Sequence, residues 1–251
     1  ALDEISVGEG QNNYLTVVLD LETGRAVHVV ETRRKAALAG FFKRLRRSGT
    51  RLIAVAMDMH EPFLAAVRDY YKWPVAIVFD HFHVIKLLNE VIDEIRRDEV
   101  RRVQDKEGKR LLKGSRYLLL RASENLKPDG AVRLKAVLAA NATLSTAYIL
   151  KEALRACWQA ETRDEAEVAF TDWVAQAQSS GIDRLAAFTK TITTHWEGIM
   201  AYFDHPISTG KLEAFNNKIG VLMRKAYGYR NKKFLMLRIL FLHECKRQLT
   251  G

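Results

Sequence analysis

RLIAVAMD, residues 51–58, and VAIVFD, residues 75–80, are two short apolar runs that each stop at an aspartate. Runs of this length without polar alternation are typical of strands buried on both faces. Between them, Pro62 suits the first turn of a helix reaching about Tyr71, where its missing N–H costs nothing. Strand, helix, strand points to an α/β layer. It also leaves Asp58 and Asp80 at strand ends, a common location for carboxylates that hold a metal ion.

Upstream, residues 1–31 read as a meander of three strands: ALDEIS, YLTVVLDL and AVHVVE. LETGR forms the last turn, because Gly24 can take a positive φ. Residues 34–47, RKAALAGFFKRLRR, place Leu38, Phe41, Phe42 and Leu45 on one side, which predicts an amphipathic helix crossing back over the sheet. The order of three strands, helix, strand, helix, strand implies a mixed sheet. Downstream the pattern changes. From Val84 to about Trp196 the chain has helical periodicity rich in Arg, Lys, Glu and Ala, broken near Gly108, Pro128-Asp129-Gly130 and Ser179-Ser180-Gly181, with no convincing strand. After the loop DHPISTG, LEAFNNKIGVLMRKAYG reads as another helix, and a last one is expected from about Phe234 to Gln248. The expected organisation is a core in 1–83, a helical insertion over 84–200 and returning helices of the core in 201–251.

The chain has 251 residues, 48% of them hydrophobic, enough for a sizeable core. Forty Lys and Arg against thirty Asp and Glu give a net charge of +10. A polyanion, nucleic acid first, is the partner such a balance favours. Only Cys157 and Cys245 are present, which argues against a disulfide framework and for a reducing, cytoplasmic setting. No apolar run approaches eighteen residues and no secretory signal is found, so a soluble intracellular protein is expected. The first residue is Ala, with Asp3 close behind, which suggests a part of a longer chain.

Three acidic residues stand out. Asp58 is explained equally well as a helix N-cap, whose side chain accepts an orphan N–H, and Asp80 better still, with Val84, Leu87, Leu88, Val91 and Ile92 as an apolar stripe behind it. Glu213 is more telling. Leu212, Phe215, Ile219, Leu222 and Met223 form one face of its helix, while Glu213, Asn217, Gly220 and Arg224 follow one another on a second, beside Lys211, Lys218 and Lys225. A favourable dipole interaction alone would account for a Glu near a helix start. The adjacent Asn216-Asn217 and the basic flanks favour a site facing phosphate instead. His60, His81 and His83 lie near the two strand ends, but His-x-His without cysteines or a third ligand does not make a zinc site. Carboxylates in a basic protein suit Mg2+ or Mn2+, hard ions that share phosphate oxygens. From Arg224 to Arg247 the chain carries Arg224, Lys225, Arg230, Lys232, Lys233, Arg238, Lys246 and Arg247 against Glu244, interleaved with Tyr227, Tyr229 and Phe234. This is either a solvated basic face or a DNA backbone contact.

ALDEIS, YLTVVLDLETGRAVHVVETR, VAMDMHEPF, VFDHFHVIKLLNEVIDEIRR and TGKLEAFNNKIGVLMRKAYGYRN together resemble the catalytic region of bacterial insertion-sequence transposases of the ISL-three family, over nearly the whole chain. The resemblance implies an RNase H-like fold, a mixed sheet flanked by helices and interrupted by a large all-helical insertion. It also implies a DDE triad at Asp3, Asp58 and Glu213. These residues would bind two Mg2+ or Mn2+ ions for cleavage of double-stranded DNA and strand transfer at transposon ends. Asp80-His81-Phe82-His83 is similar to the D-x-x-H motif of related transposases, in which Asp80 and His83 would buttress the site. The rival assignment makes Asp80 the second catalytic carboxylate. Lys211, Asn217, Lys218, Arg224, Lys225, Arg230, Lys232 and Lys233 would face DNA. Two departures are Ala214 after Glu213 and Gly220 after Ile219, where the family commonly has Gly and Lys. The resemblance further implies a dimer or larger assembly, nucleoid association and, elsewhere in the longer protein, zinc-binding and helix-turn-helix regions that read the transposon ends. Two alternatives are a non-catalytic DNA-binding or assembly module that keeps the fold, and a metal-dependent nuclease that does not join strands.

Overall fold

The computed structural model describes residues 1–8, 13–31 and 34–242. Its chain divides into two compact units, one made of Ala1–Asp80 with His205–Gly251 and the other of His81–Asp204.

The first unit is α/β. Its strands are β1 (Leu2–Ser6), β2 (Tyr14–Leu19), β3 (Ala26–Glu31), β4 (Ala54–Met57) and β5 (Ala76–Phe79), in the spatial order β3-β2-β1-β4-β5. The expected meander forms: β1 pairs antiparallel with β2, and β2 with β3. Gly24 in the β2–β3 turn has φ +70, a conformation that costs glycine little. β4 then pairs parallel with β1, and β5 with β4, so the sheet is mixed. A parallel neighbour needs a crossover. The amphipathic stretch before β4 supplies one, with a 3-10 turn at Lys35–Leu38 leading into α1 (Ala39–Arg47). α2 (Glu61–Tyr70) supplies the other, with Pro62 in its first turn as the sequence predicts. Phe41 and Phe42 of α1 are buried and in contact with each other, and Phe42 also meets Tyr71 at the end of α2. The Tyr71 hydroxyl accepts the Leu52 N–H at 2.6 Å, fixing the entry to β4.

α11 (Gly210–Lys225) and α12 (Lys232–Leu240) complete this unit. The apolar stripe read from the sequence is the stripe that packs. Leu212, Phe215 and Ile219 join Leu235 and Ile239 against Leu15, Val17, Leu19, Ala26 and Val29, while Leu222 and Met223 lie at its margin. Burying each such side chain contributes roughly 1.5–3 kcal/mol, so this cluster holds α11 on the sheet. The end expected for the last helix, with Cys245, Lys246 and Arg247, lies outside the described residues, and α12 begins two residues earlier than its periodicity indicated.

The second unit is helical throughout. It consists of α3 (His81–Arg102), α4 (Lys106–Lys113), α5 (Arg116–Leu120), a 3-10 turn at Ser123–Asn125, α6 (Pro128–Ala140), α7 (Ala142–Cys157), α8 (Arg163–Ser179), α9 (Asp183–Thr194) and α10 (Trp196–Asp204). The breaks fall close to where glycine, proline and serine clusters indicate. The exception is Gly108, which lies inside α4. That helix begins earlier because the Asp105 side chain caps it by accepting the Gly108 N–H. Trp173 and Phe170 are fully buried, and the Trp173 indole N–H donates to Leu150 O at 2.7 Å. Lys151 is also fully buried, donating to the carbonyls of Leu119 and Arg121 at the C-terminal end of α5 and pairing with Glu152.

Candidate active site

Register places the first two carboxylates. Leu2 of β1 is opposite Met57 of the parallel strand β4, so the next residues along, Asp3 and Asp58, are neighbours across the same strand pair. On the other side Asp3 is opposite Val17. Cross-strand partners share a face, and Val17 belongs to the core under α11. Asp3 therefore lies on the face that α11 covers. Its Oδ1 accepts the Glu4 N–H at 2.7 Å and its Oδ2 accepts from Asn216 Nδ2 of α11 at 2.8 Å.

Asp58 is not the cap of the following helix. α2 starts at Glu61 with His60 in the capping position, and Asp58 contributes its backbone carbonyl to the His60 N–H at 2.7 Å. The N-cap explanation, sound on sequence grounds, thus fails for this residue.

Asp80 is employed differently. It is 1% exposed, and its Oδ2 accepts both the backbone N–H of Thr209, at 3.0 Å, and the Thr209 hydroxyl. Thr209 is the residue from which α11 departs, and its carbonyl accepts the Glu213 N–H at 2.8 Å. Asp80 thus anchors the start of the helix that carries Glu213. Glu213 itself is exposed, in the first turn of α11 and one turn before Asn216. His83 lies half-buried in the first turn of α3, in the second unit.

Among the described residues, no three His, Cys, Asp or Glu side chains are drawn into a group able to hold a metal ion. Asp3 and Asp58 each follow directly on the paired residues Leu2 and Met57 of adjacent strands, whereas Glu213 is exposed on its helix. Oxygen donors from carboxylates are the set that hard divalent ions prefer, so the chemistry of Asp3 and Asp58 fits such an ion.

The basic residues divide into two groups. Asn217, Lys218, Arg224, Lys225, Arg230 and Lys233 are exposed on α11, α12 and the segment between them. Lys211 Nζ donates to Leu21 O at 2.8 Å, and Lys232 pairs with Glu31 at 2.6 Å, so both hold the sheet to its helices. Lys218, Lys225 and Arg238, together with Val221, Leu222 and Leu242, line a cavity of about 190 Å³ between α11 and α12. Sequence reasoning missed two contacts here. Asn216 is flanked in the sequence by the apolar stripe and gave no sign of its reach to Asp3, and Thr209 lies 129 residues from the aspartate it meets.

A family model described as a transposase, that of the ISL-three DDE group, matches residues 1–239. The chain belongs to the ISL-three family of DDE transposases. It is 36% identical over 242 residues to the transposase for insertion sequence element IS1001 of Bordetella parapertussis, covering 95% of this chain and 59% of that protein. It is 30% identical over 259 residues to the transposase for insertion sequence element IS1557 of Mycobacterium tuberculosis, covering 94% of this chain and 57% of the relative. The chain thus spans less than two thirds of the length of the curated transposases it matches. No solved structure matches it. Among the described residues of this family member, no helix is long and apolar enough to cross a membrane.

Proposed function

We propose that the chain carries the catalytic centre of an insertion-sequence transposase, cutting DNA at transposon ends and joining it to a target, with Asp3, Asp58 and Glu213 as its carboxylate triad. The supporting observation is the β1–β4 register, which makes Asp3 and Asp58 neighbours on the face of the sheet that α11 covers. In this reading the sheet is an RNase H-like core, and the helical unit, residues 81–204, is an insertion between Asp80 and the returning helices. Asp80 is a positioning residue, because its carboxylate is already engaged with Thr209.

Divalent cations, Mg2+ or Mn2+, bound at the triad would activate the attacking water or 3′-hydroxyl and stabilise the leaving oxygen. The chain's own contributions are distinct. Asp3 and Asp58 present oxygen donors from a rigid sheet, Asn216 sets the orientation of the Asp3 carboxylate, and Asp80 fixes the helix on which Glu213 stands. The exposed cations Lys218, Arg224, Lys225, Arg230 and Lys233 would meet the backbone of double-stranded DNA, with Asn217 alongside. Each phosphate neutralised would add about 0.9 to the slope of log affinity against log salt. Self-association into a dimer or larger assembly and location with the bacterial nucleoid belong to the same reading.

One observation favours a second reading, a DNA-binding or assembly module without chemistry: the three carboxylates do not close into a group among the described residues. Nicking of supercoiled plasmid in Mn2+ separates the two. Wild-type chain is expected to nick, and Asp58→Asn to fall to background while its DNA affinity and Tm stay at wild-type values. Nicking by Asp58→Asn at the wild-type rate would remove Asp58 from the triad, and no nicking by wild type would favour the module. A strand-transfer assay with pre-cut ends distinguishes a transposase from a nuclease.

A further inference from the structure

Tyr227 combines two features. It is 100% exposed, and its φ is +53, the only positive φ among the described non-glycine residues. Large side chains rarely adopt that conformation. The local cause is the end of α11. The Tyr227 N–H donates to Arg224 O at 3.1 Å and the Gly228 N–H to Met223 O at 2.9 Å, the paired bonds of a Schellman motif. The left-handed position of that motif is normally glycine's. Here a glycine stands one residue later, at Gly228, with φ +93, and tyrosine occupies the unfavourable place. Strain of this kind persists where it serves a site. The motif projects the ring into solvent directly after Arg224 and Lys225, and Arg230 follows three residues on. The last turns of α11 also line the cavity formed by Lys218, Lys225 and Arg238 together with Val221, Leu222 and Leu242.

We propose that Tyr227 is a stacking platform for an unpaired base of the DNA substrate, with Lys218, Lys225 and Arg238 holding the adjacent phosphates. An exposed aromatic ring has no fold to support. Among exposed cations it offers what single-stranded DNA binds: a π-face for the base and positive charge for the backbone. This proposal rests on the DNA-processing role argued above and specifies the form of DNA that this end of α11 meets, namely strands locally opened.

The test compares two probes by fluorescence anisotropy: a blunt 20-mer duplex, and the same duplex with a three-nucleotide 3′ overhang whose first unpaired base is 2-aminopurine. Wild type is expected to favour the overhang and to quench the 2-aminopurine. Tyr227→Gly places the favoured residue in the left-handed position, so the fold is kept and Tm is unchanged or slightly raised. It should bind the overhang about tenfold more weakly, lose the quenching, and bind the blunt duplex as wild type does. Tyr227→Phe should behave as wild type, since stacking needs the ring and not the hydroxyl. Equal affinity and quenching in wild type and Tyr227→Gly would overturn the stacking role while leaving DNA binding intact. Failure of wild type to bind either probe would overturn it together with the DNA-processing reading. A weakening by Tyr227→Gly that is equal on both probes would also overturn it, because it would identify Tyr227 as a general duplex contact.

Discussion

Asp80→Ala tests how the sheet positions the helix of Glu213. The Asp80 carboxylate accepts two donors from Thr209, its N–H at 3.0 Å and its hydroxyl, and Asp80 and Thr209 are 1% and 3% exposed. Removing the acceptor leaves both donors buried and unsatisfied, at about 1–3 kcal/mol each, for a total of about 2–6 kcal/mol. In a chain of this size that corresponds to a Tm lowered by roughly 10 °C. Thr209→Val removes only the hydroxyl and should cost about 1–2 kcal/mol. Because the two residues share one interaction, the double variant should be less destabilised than the sum of the single ones, by about 1–2 kcal/mol. Thermal scans of all four proteins provide the cycle, and amide exchange of α11 locates the effect. Since the Glu213 N–H bonds to Thr209 O, that amide should exchange faster in Asp80→Ala. A Tm within about 2 °C of wild type, or strictly additive single effects, would refute the anchoring role. It would return Asp80 to candidacy as a triad member.

Two further predictions concern the helical unit. Lys151→Met deprives the Leu119 and Arg121 carbonyls of their donor but relieves the burial that lowers the lysine's affinity for its proton. The lost bonds are expected to prevail, with a net destabilisation of about 1–3 kcal/mol in urea unfolding, and a more stable variant would show that burial cost dominates. Arg155 hydrogen-bonds Glu124 and pulls its pKa from 4.5 down to about 2. A depressed carboxylate contributes stability above its unfolded pKa and loses that contribution as pH falls towards its folded one. The Tm difference between wild type and Glu124→Gln should therefore shrink from pH 5 to pH 2, and a constant difference across that interval would contradict the pairing.

The order of strands and helices was legible because each segment carries its own period. β4 and β5 lie in apolar runs without alternation, α11 has an apolar residue every three or four positions, and Gly24 marks the turn. The start of α4 was misplaced because a cap, Asp105, outweighed the helix-breaking tendency of Gly108. The choice between Asp58 and Asp80 was not legible. Both end an apolar strand and both precede a helix, and the stronger cap pattern and D-x-x-H motif at Asp80 left the rival assignment open.

By itself, then, the sequence determined the α/β class, the helical character of residues 84–200, the packing stripe of α11 and membership of a transposase family, since these follow from periodicity and ordered motifs. Only the tertiary structure decided that Asp3 and Asp58 each follow directly on a paired residue of adjacent strands, that Asn216 holds Asp3, that Asp80 bonds Thr209, and that Tyr227 takes a left-handed conformation in solvent. The physical reason is that register and long-range hydrogen bonds join residues up to 213 positions apart. No local pattern encodes such a partner until hydrophobic burial has brought the helix onto the sheet.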